Sequence, residues 1–219
     1  MKMKMNQLLI TGAVLACTTF PVFAQPGGGG DQDTSMSFFI TSRGPGDGAN
    51  LGGLAGADAH CAALAESVGV NGKTWRAYLS TTGPDGVYAR DRIGSGPWFN
   101  SEGQLAGRGV MDIHYSNANL NKQVSLTESG GTVNGVGDQP NMHDVLTGSN
   151  PDGTSSGLTC NNWTSNTDQS SATVGHFDRI GGGAMAESWN AAHTSRGCSQ
   201  EQLQASGGNG FYYCFATGE

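Results

Sequence analysis

Charge is scarce in this sequence. Asp, Glu, Lys and Arg make up only 13% of its 219 residues, about half the roughly 25% of an ordinary soluble domain. Hydrophobic residues are also sparse, at 36%. A coiled coil or long-helix protein is excluded, because it needs abundant Ala, Glu, Lys and Leu at a heptad period. The few cations are scattered singly, Arg90 and Arg92 being the closest pair after the start of the chain, against a net charge of −7. Nucleic acid and anionic membrane surfaces therefore make poor partners, since both need clustered Lys and Arg. Outside residues 8–20 no stretch approaches the ~20 apolar residues of a transmembrane helix.

Several catalytic and metal-binding motifs are missing as well. There is no CxxC pair or zinc-finger spacing, no HExxH, and no Gly-x-Ser-x-Gly elbow after a hydrophobic strand. The five histidines, His60, His114, His143, His176 and His193, are far apart and read as surface or hydrogen-bonded structural residues. Asp91, Asp112, Asp144 and Glu187 supply carboxylates, but a glycosidase is defined by the distance between two of them, which sequence does not give. The chain reads as a non-enzyme.

What is abundant is glycine, 36 residues where the usual share is about 7%, without the every-third-residue period of collagen. Loops should dominate. Trp75, Trp98, Trp163 and Trp189, with eight Phe and five Tyr, supply large apolar surface for one core.

Residues 1–24 read as a signal peptide: Lys2 and Lys4, an apolar run from Leu8 to Phe20, and the small-residue ending Val22-Phe23-Ala24. A lipoprotein anchored through Cys17 is the alternative, because Val14-Leu15-Ala16-Cys17 loosely resembles a lipobox. Either way the product is exported, secreted or periplasmic. Residues 25–36, with Gly27 to Gly30 in a row, read as a flexible linker before a domain at 37–219. Beyond Cys17 the cysteines are Cys61, Cys160, Cys198 and Cys214. Export makes two disulfides the default, and four cysteines allow three connectivities.

The clearest helix runs from Gly53 to Val68, with Ala57, Cys61, Leu64, Ala65 and Val68 on one stripe and Gly69 ending it. After the Asn71-Gly72 turn, Thr74 to Leu79 alternates with period two and predicts a strand with Trp75, Ala77 and Leu79 on one face. Phe38 to Thr41 and Phe211 to Ala216 predict short strands at the two ends, placed to pair with each other. From about Gly83 to Asn209 the sequence predicts a long loop region held by a disulfide, with apolar anchors such as Ile93, Val110, Val145 and Leu146.

Three segments carry a family resemblance: Gly56-Ala57-Asp58-Ala59-His60-Cys61 followed by Gly72-Lys73-Thr74-Trp75-Arg76-Ala77-Tyr78-Leu79-Ser80; Val145 to Gly153 leading to Cys160 and Trp163; and Cys198 followed by the terminal strand with Cys214. In this order they resemble the endostatin module of multiplexin collagens and bacterial exported lectin-like proteins. The resemblance implies an α+β, C-type-lectin-like fold: a twisted antiparallel sheet with one main helix and a long loop region. It further implies nested disulfides, Cys61–Cys214 outside Cys160–Cys198.

The resemblance also implies a ligand set. Asn150-Pro151-Asp152 before Cys160 and Ser188-Trp189-Asn190 before Cys198 are similar to the calcium triplets of sugar-binding C-type lectins, so Asn150, Asp152 and Asn190, with Glu187, are the expected calcium ligands. Ala191 stands where that pattern has a second Asp, which removes a charged ligand. The competing reading of Asn150-Pro151-Asp152 is a tight turn with Asx side chains on loop backbone, and Asp138-Gln139-Pro140-Asn141 reads the same way. Endostatin's zinc ligands have no counterpart, because residues 25–59 contain no His, and its arginine clusters for heparin are not matched either. The implied function is non-catalytic binding of a glycan or cell-envelope component through the loop region, with Trp98 or Trp189 stacking on a sugar ring. The alternative is a structural or adhesive surface protein that binds a protein partner.

Overall fold

The computed structural model describes residues 32–116, 119–183 and 185–217. The expected signal peptide and the glycine run of the linker lie outside these residues. The fold is mixed α+β, with few helices and mostly antiparallel strand pairs.

The two ends of the domain meet in a three-stranded sheet. Strand β1 (Phe38–Ile40) and strand β2 (Thr74–Ala77) flank β9 (Tyr213–Thr217), both antiparallel to it. The expected pairing of the terminal strands is thus observed. Helix α1 (Gly53–Ser67) buries Ala57, Cys61, Leu64 and Ala65, and Cys61 is bonded to Cys214 of β9. Val68, expected on that stripe, caps the helix and is exposed, because Gly69 turns the chain at φ 83. Asp58 on the polar side of α1 takes Arg92 at 2.6 Å, Arg76 at 3.2 Å and the Ala77 N–H at 2.8 Å, tying helix to sheet.

Two boundaries differ from the sequence reading. The packed domain begins ahead of Ser37: Met36 is buried, and Lys73 donates to the carbonyls of Ser35 and Met36. The strand expected over Thr74–Leu79 ends at Ala77, since Leu79 N–H turns back to the Ala77 carbonyl. Tyr78, on the polar side of that alternation, is buried against Trp189 and Phe215.

The region expected to be loop contains sheet. Strands β3 (Trp98–Phe99) and β4 (Leu105–Gly107) form a hairpin, followed by a π-helical turn, Asp112–Ser116. A four-stranded sheet then runs in the order β7-β6-β5-β8, built from β5 (Asp144–Leu146), β6 (Thr173–His176), β7 (His193–Thr194) and β8 (Gly208–Phe211). β5 is antiparallel to β6 and parallel to β8. These strands are two to four residues long, so little periodicity marks them in the sequence. A left-handed turn over Cys160–Trp163 precedes β6, and Cys160 is bonded to Cys198. Both disulfides thus follow the pairing the family resemblance implies. Among the described residues no helix is long and apolar enough to cross a membrane.

A candidate metal centre on the second sheet

Register alone brings three distant residues together. Asp144 on β5 pairs with His176 on β6, and Val174, two residues before His176, pairs with His193 on β7. Cross-strand partners share a face, as do residues i and i+2, so Asp144, His176 and His193 project from the same side of the sheet. His143, just ahead of β5, lies outside the alternation and stacks its ring on His176, with centroids 4.0 Å apart and planes at 18°.

Gly175 makes this corner possible. A Cβ there would overlap the Trp189 carbonyl and the Asn190 backbone, so only glycine lets the 188–190 segment lie against β6. That approach sets the bonds His176 N–H to the Ser188 carbonyl, 2.9 Å, and Ala192 N–H to the Val174 carbonyl, 2.7 Å, which bring His193 into place.

Three imidazole Nε2 atoms surround one carboxylate oxygen. Asp144 Oδ1 is 3.3 Å from His143 Nε2, 3.4 Å from His176 Nε2 and 3.3 Å from His193 Nε2. Asp144, His143 and His176 are buried, and His193, 39% exposed at its side chain, forms the solvent side. Yet both oxygens of Asp144 and Nε2 of His176 have no hydrogen-bond partner. Leaving a carboxylate buried and unbonded costs several kcal/mol, about half a domain's net stability. The nitrogens stand 3.3–3.4 Å from it.

The other nitrogen of each ring is occupied. His143 Nδ1 meets Asp178 Oδ1 at 3.1 Å, His176 Nδ1 meets the Ala186 carbonyl at 2.7 Å, and His193 Nδ1 meets the Thr194 carbonyl at 3.1 Å. Acceptors at Nδ1 place the ring proton there and leave Nε2 as a bare lone pair, the arrangement of metal-ligating histidines. Two ligands each about 2.0–2.1 Å from one ion in a tetrahedron stand about 3.3–3.4 Å apart, the separation found between Asp144 Oδ1 and each Nε2. Nitrogen-rich donors with one carboxylate suit zinc and its first-row neighbours. Calcium and magnesium take oxygen.

The electrostatics fit a carboxylate held as an anion. Burial pushes the Asp144 carboxyl up, but polar contact with His176 and His193 and the charge of His193 and His143 outweigh it, holding it below the usual range. Contact with Asp144 raises His193 against its burial. At Asp178 burial is again the largest influence and raises; the His143 ring and the Val136 and Ile180 N–H groups overcome it, so that this carboxyl is also depressed.

The residues singled out from sequence lie elsewhere. Asn150 and Asp152 share one turn and Asn190 bridges to it. Asp152 Oδ1 accepts from Thr154 N–H and Oγ1, Asn150 Nδ2 donates to Thr154 Oγ1 and the Ser155 carbonyl, and the buried Asn190 amide donates to the Asn150 and Pro151 carbonyls and to Tyr78 Oη. Glu187 is exposed. Asn150, Asp152 and Asn190 are thus joined in one hydrogen-bonded turn. Trp98 and Trp189, expected to stack on a sugar, are core residues, 1% and 4% exposed; their indole N–H groups donate to the Ala216 and Ile113 carbonyls. The exposed ring nearby is Tyr115.

Three of the five histidines, read from sequence as surface or hydrogen-bonded structural residues, are hydrogen-bonded through Nδ1 and stand together around Asp144. Their spacing spans long connections and forms no local motif. The one local signal was the adjacent pair His143-Asp144 leading into the apolar Val145-Leu146. No protein-family model matches the chain, and no curated protein is significantly similar to it.

Proposed function

We propose that this chain is an exported, non-catalytic binding domain whose second sheet is completed by one divalent transition-metal ion, zinc fitting best, held by His143, Asp144, His176 and His193. The observation that carries the reading is the buried Asp144 carboxylate, without a hydrogen bond, facing three Nε2 atoms whose partner nitrogens are all engaged. His143, Asp144 and His176 bring their ligand atoms within 4.8 Å of one another, and His193 closing from the solvent side would complete four ligands, as in structural zinc sites. The ion would then join β5, β6 and β7 at one corner of the sheet.

The C-type-lectin-like, endostatin-like architecture belongs to the same proposal, supported by the nested disulfides and the paired terminal strands. So does a glycan or cell-envelope ligand. Tyr115, 59% exposed, stands beside a cleft of about 340 Å³ lined also by Pro151, Ser188 and Asn190, which offers a ring face next to polar groups. Metal analysis of the purified protein beside His176→Ala tests the site: one equivalent of zinc in the parent and none in the variant is expected, and equal content refutes it. A glycan array run with and without chelator tests the ligand class. Retention of a protein partner with no glycan bound would favour the adhesive alternative.

A further inference from the structure

The acceptors that orient the two buried imidazoles both belong to the loop joining β6 to β7. Asp178 takes His143 Nδ1, and the Ala186 carbonyl takes His176 Nδ1. The ends of this loop are themselves ligands, His176 and His193. Asp178 also accepts Ile180 N–H at 3.2 Å and Val136 N–H at 2.8 Å, extending the contact to the neighbouring 135–138 turn.

Among the described residues the outer part of the loop is largely exposed. Ile180 and Met185 are 48% and 42% exposed, Gly181 and Gly183 take positive φ, and β7 pairs through two residues, both exposed. Arg179 nonetheless keeps φ 57, a left-handed conformation that a non-glycine residue holds only where its surroundings impose it. Its Nε–H donates to the Glu187 carbonyl across the loop at 2.9 Å. A cleft of about 360 Å³ lies within this outer part, bordered by Met185, Ala186, Glu187 and Ser188.

We infer that the ion acts as a clasp for this loop, so that its outer part and the cleft within it take a fixed shape only in the metal-loaded protein. The inference rests on the metal reading above. A metal takes the Nε2 lone pairs and so fixes the proton of His143 and His176 on Nδ1, where each donates to the loop. Without the ion either ring is free to carry its proton on Nε2 and turn it to the unbonded Asp144 carboxylate. The Ala186 carbonyl and Asp178 then lose their donors, and the loop loses its attachment at both points. The binding face presented by Ile180, Met185 and the cleft is thereby made dependent on metal.

The test is hydrogen–deuterium exchange on the full chain, zinc-loaded and chelator-stripped, with zinc content measured in both samples. Amides of residues 177–180 and 185–190 are expected to exchange at least about tenfold faster after stripping, while β1, β2 and β9 keep their protection. Equal loop rates in samples shown to differ by one zinc would overturn the clasp and leave the metal site standing; no zinc in the loaded sample would overturn both. A second readout needs no variant: long-range proton–nitrogen NMR is expected to show His143 and His176 with Nδ1–H in the loaded form and a changed tautomer after stripping. An unchanged tautomer with zinc removed would also overturn it.

Discussion

Replacing Asp178 by Asn probes the site without touching a ligand. The two carboxylate oxygens have different duties: Oδ1 accepts from the His143 ring and from Ile180 N–H, and Oδ2 accepts from Val136 N–H. An amide has only one acceptor oxygen. Whichever way it turns, its NH2 faces a donor, either the buried His143 imidazole with the Ile180 N–H or the part-buried Val136 N–H. Leaving such a group unsatisfied costs about 1–3 kcal/mol of stability with or without metal. The larger effect is on the ion, because losing the carboxylate behind a ligating imidazole lowers metal affinity about 10- to 100-fold, or roughly 1.4–2.7 kcal/mol. Zinc competition against a chromophoric chelator reads the affinity, and circular dichroism confirms that the variant folds. Affinity within threefold of the parent in a folded Asp178→Asn protein would refute the claim that Asp178 holds His143 for the metal.

Gly175→Ala pushes a methyl into the Trp189 backbone, and about 1–3 kcal/mol of destabilisation is expected from overpacking, with weakened zinc binding as His193 shifts; denaturant titration measures the first. Asp152→Ala removes a turn acceptor but no ligand, so zinc stoichiometry by calorimetry should match the parent, and a lost equivalent would move the site to the Asn150 turn. Removing Cys61–Cys214 or Cys160–Cys198, which close 153 and 38 residues, should lower stability by up to about 5 and about 4 kcal/mol respectively in the chain-entropy description, read by denaturant titration of the Cys→Ala pairs. Burial, with Arg90 nearby, depresses His114 despite its bond to the Val110 carbonyl. Its contribution is therefore present above the unfolded value of about 6.5 and is lost as pH falls through the folded one, so a His114→Gln protein should show a flatter acid-side stability curve than the parent.

Legibility in the sequence followed the length of each element. The fifteen-residue helix α1 and its stripe were readable because several turns repeat the same spacing, and Gly69 marked its end. The end strands were readable from their aromatics, and Cys61 and Cys214 linked helix to sheet through a family resemblance. The second sheet was not. Strands as short as His193–Thr194 leave no period to detect, and their register is set by long-range approach at Gly175. The His/Asp cluster depends on that register. Asp144, His176 and His193 share a face only once β5, β6 and β7 are paired, so no spacing in the chain announces them. The indoles of Trp98 and Trp189 looked available because burial is a property of the packed fold.

The most direct test of the central claim is X-ray absorption at the zinc edge, with elemental analysis, on protein purified from cells without chelator. One zinc per chain in a shell of three imidazole nitrogens and one oxygen at about 2.0–2.1 Å is the result expected. Protein that carries no transition metal and binds none when zinc is added at millimolar concentration would contradict it, and Asp144 would then require another explanation for its unbonded carboxylate.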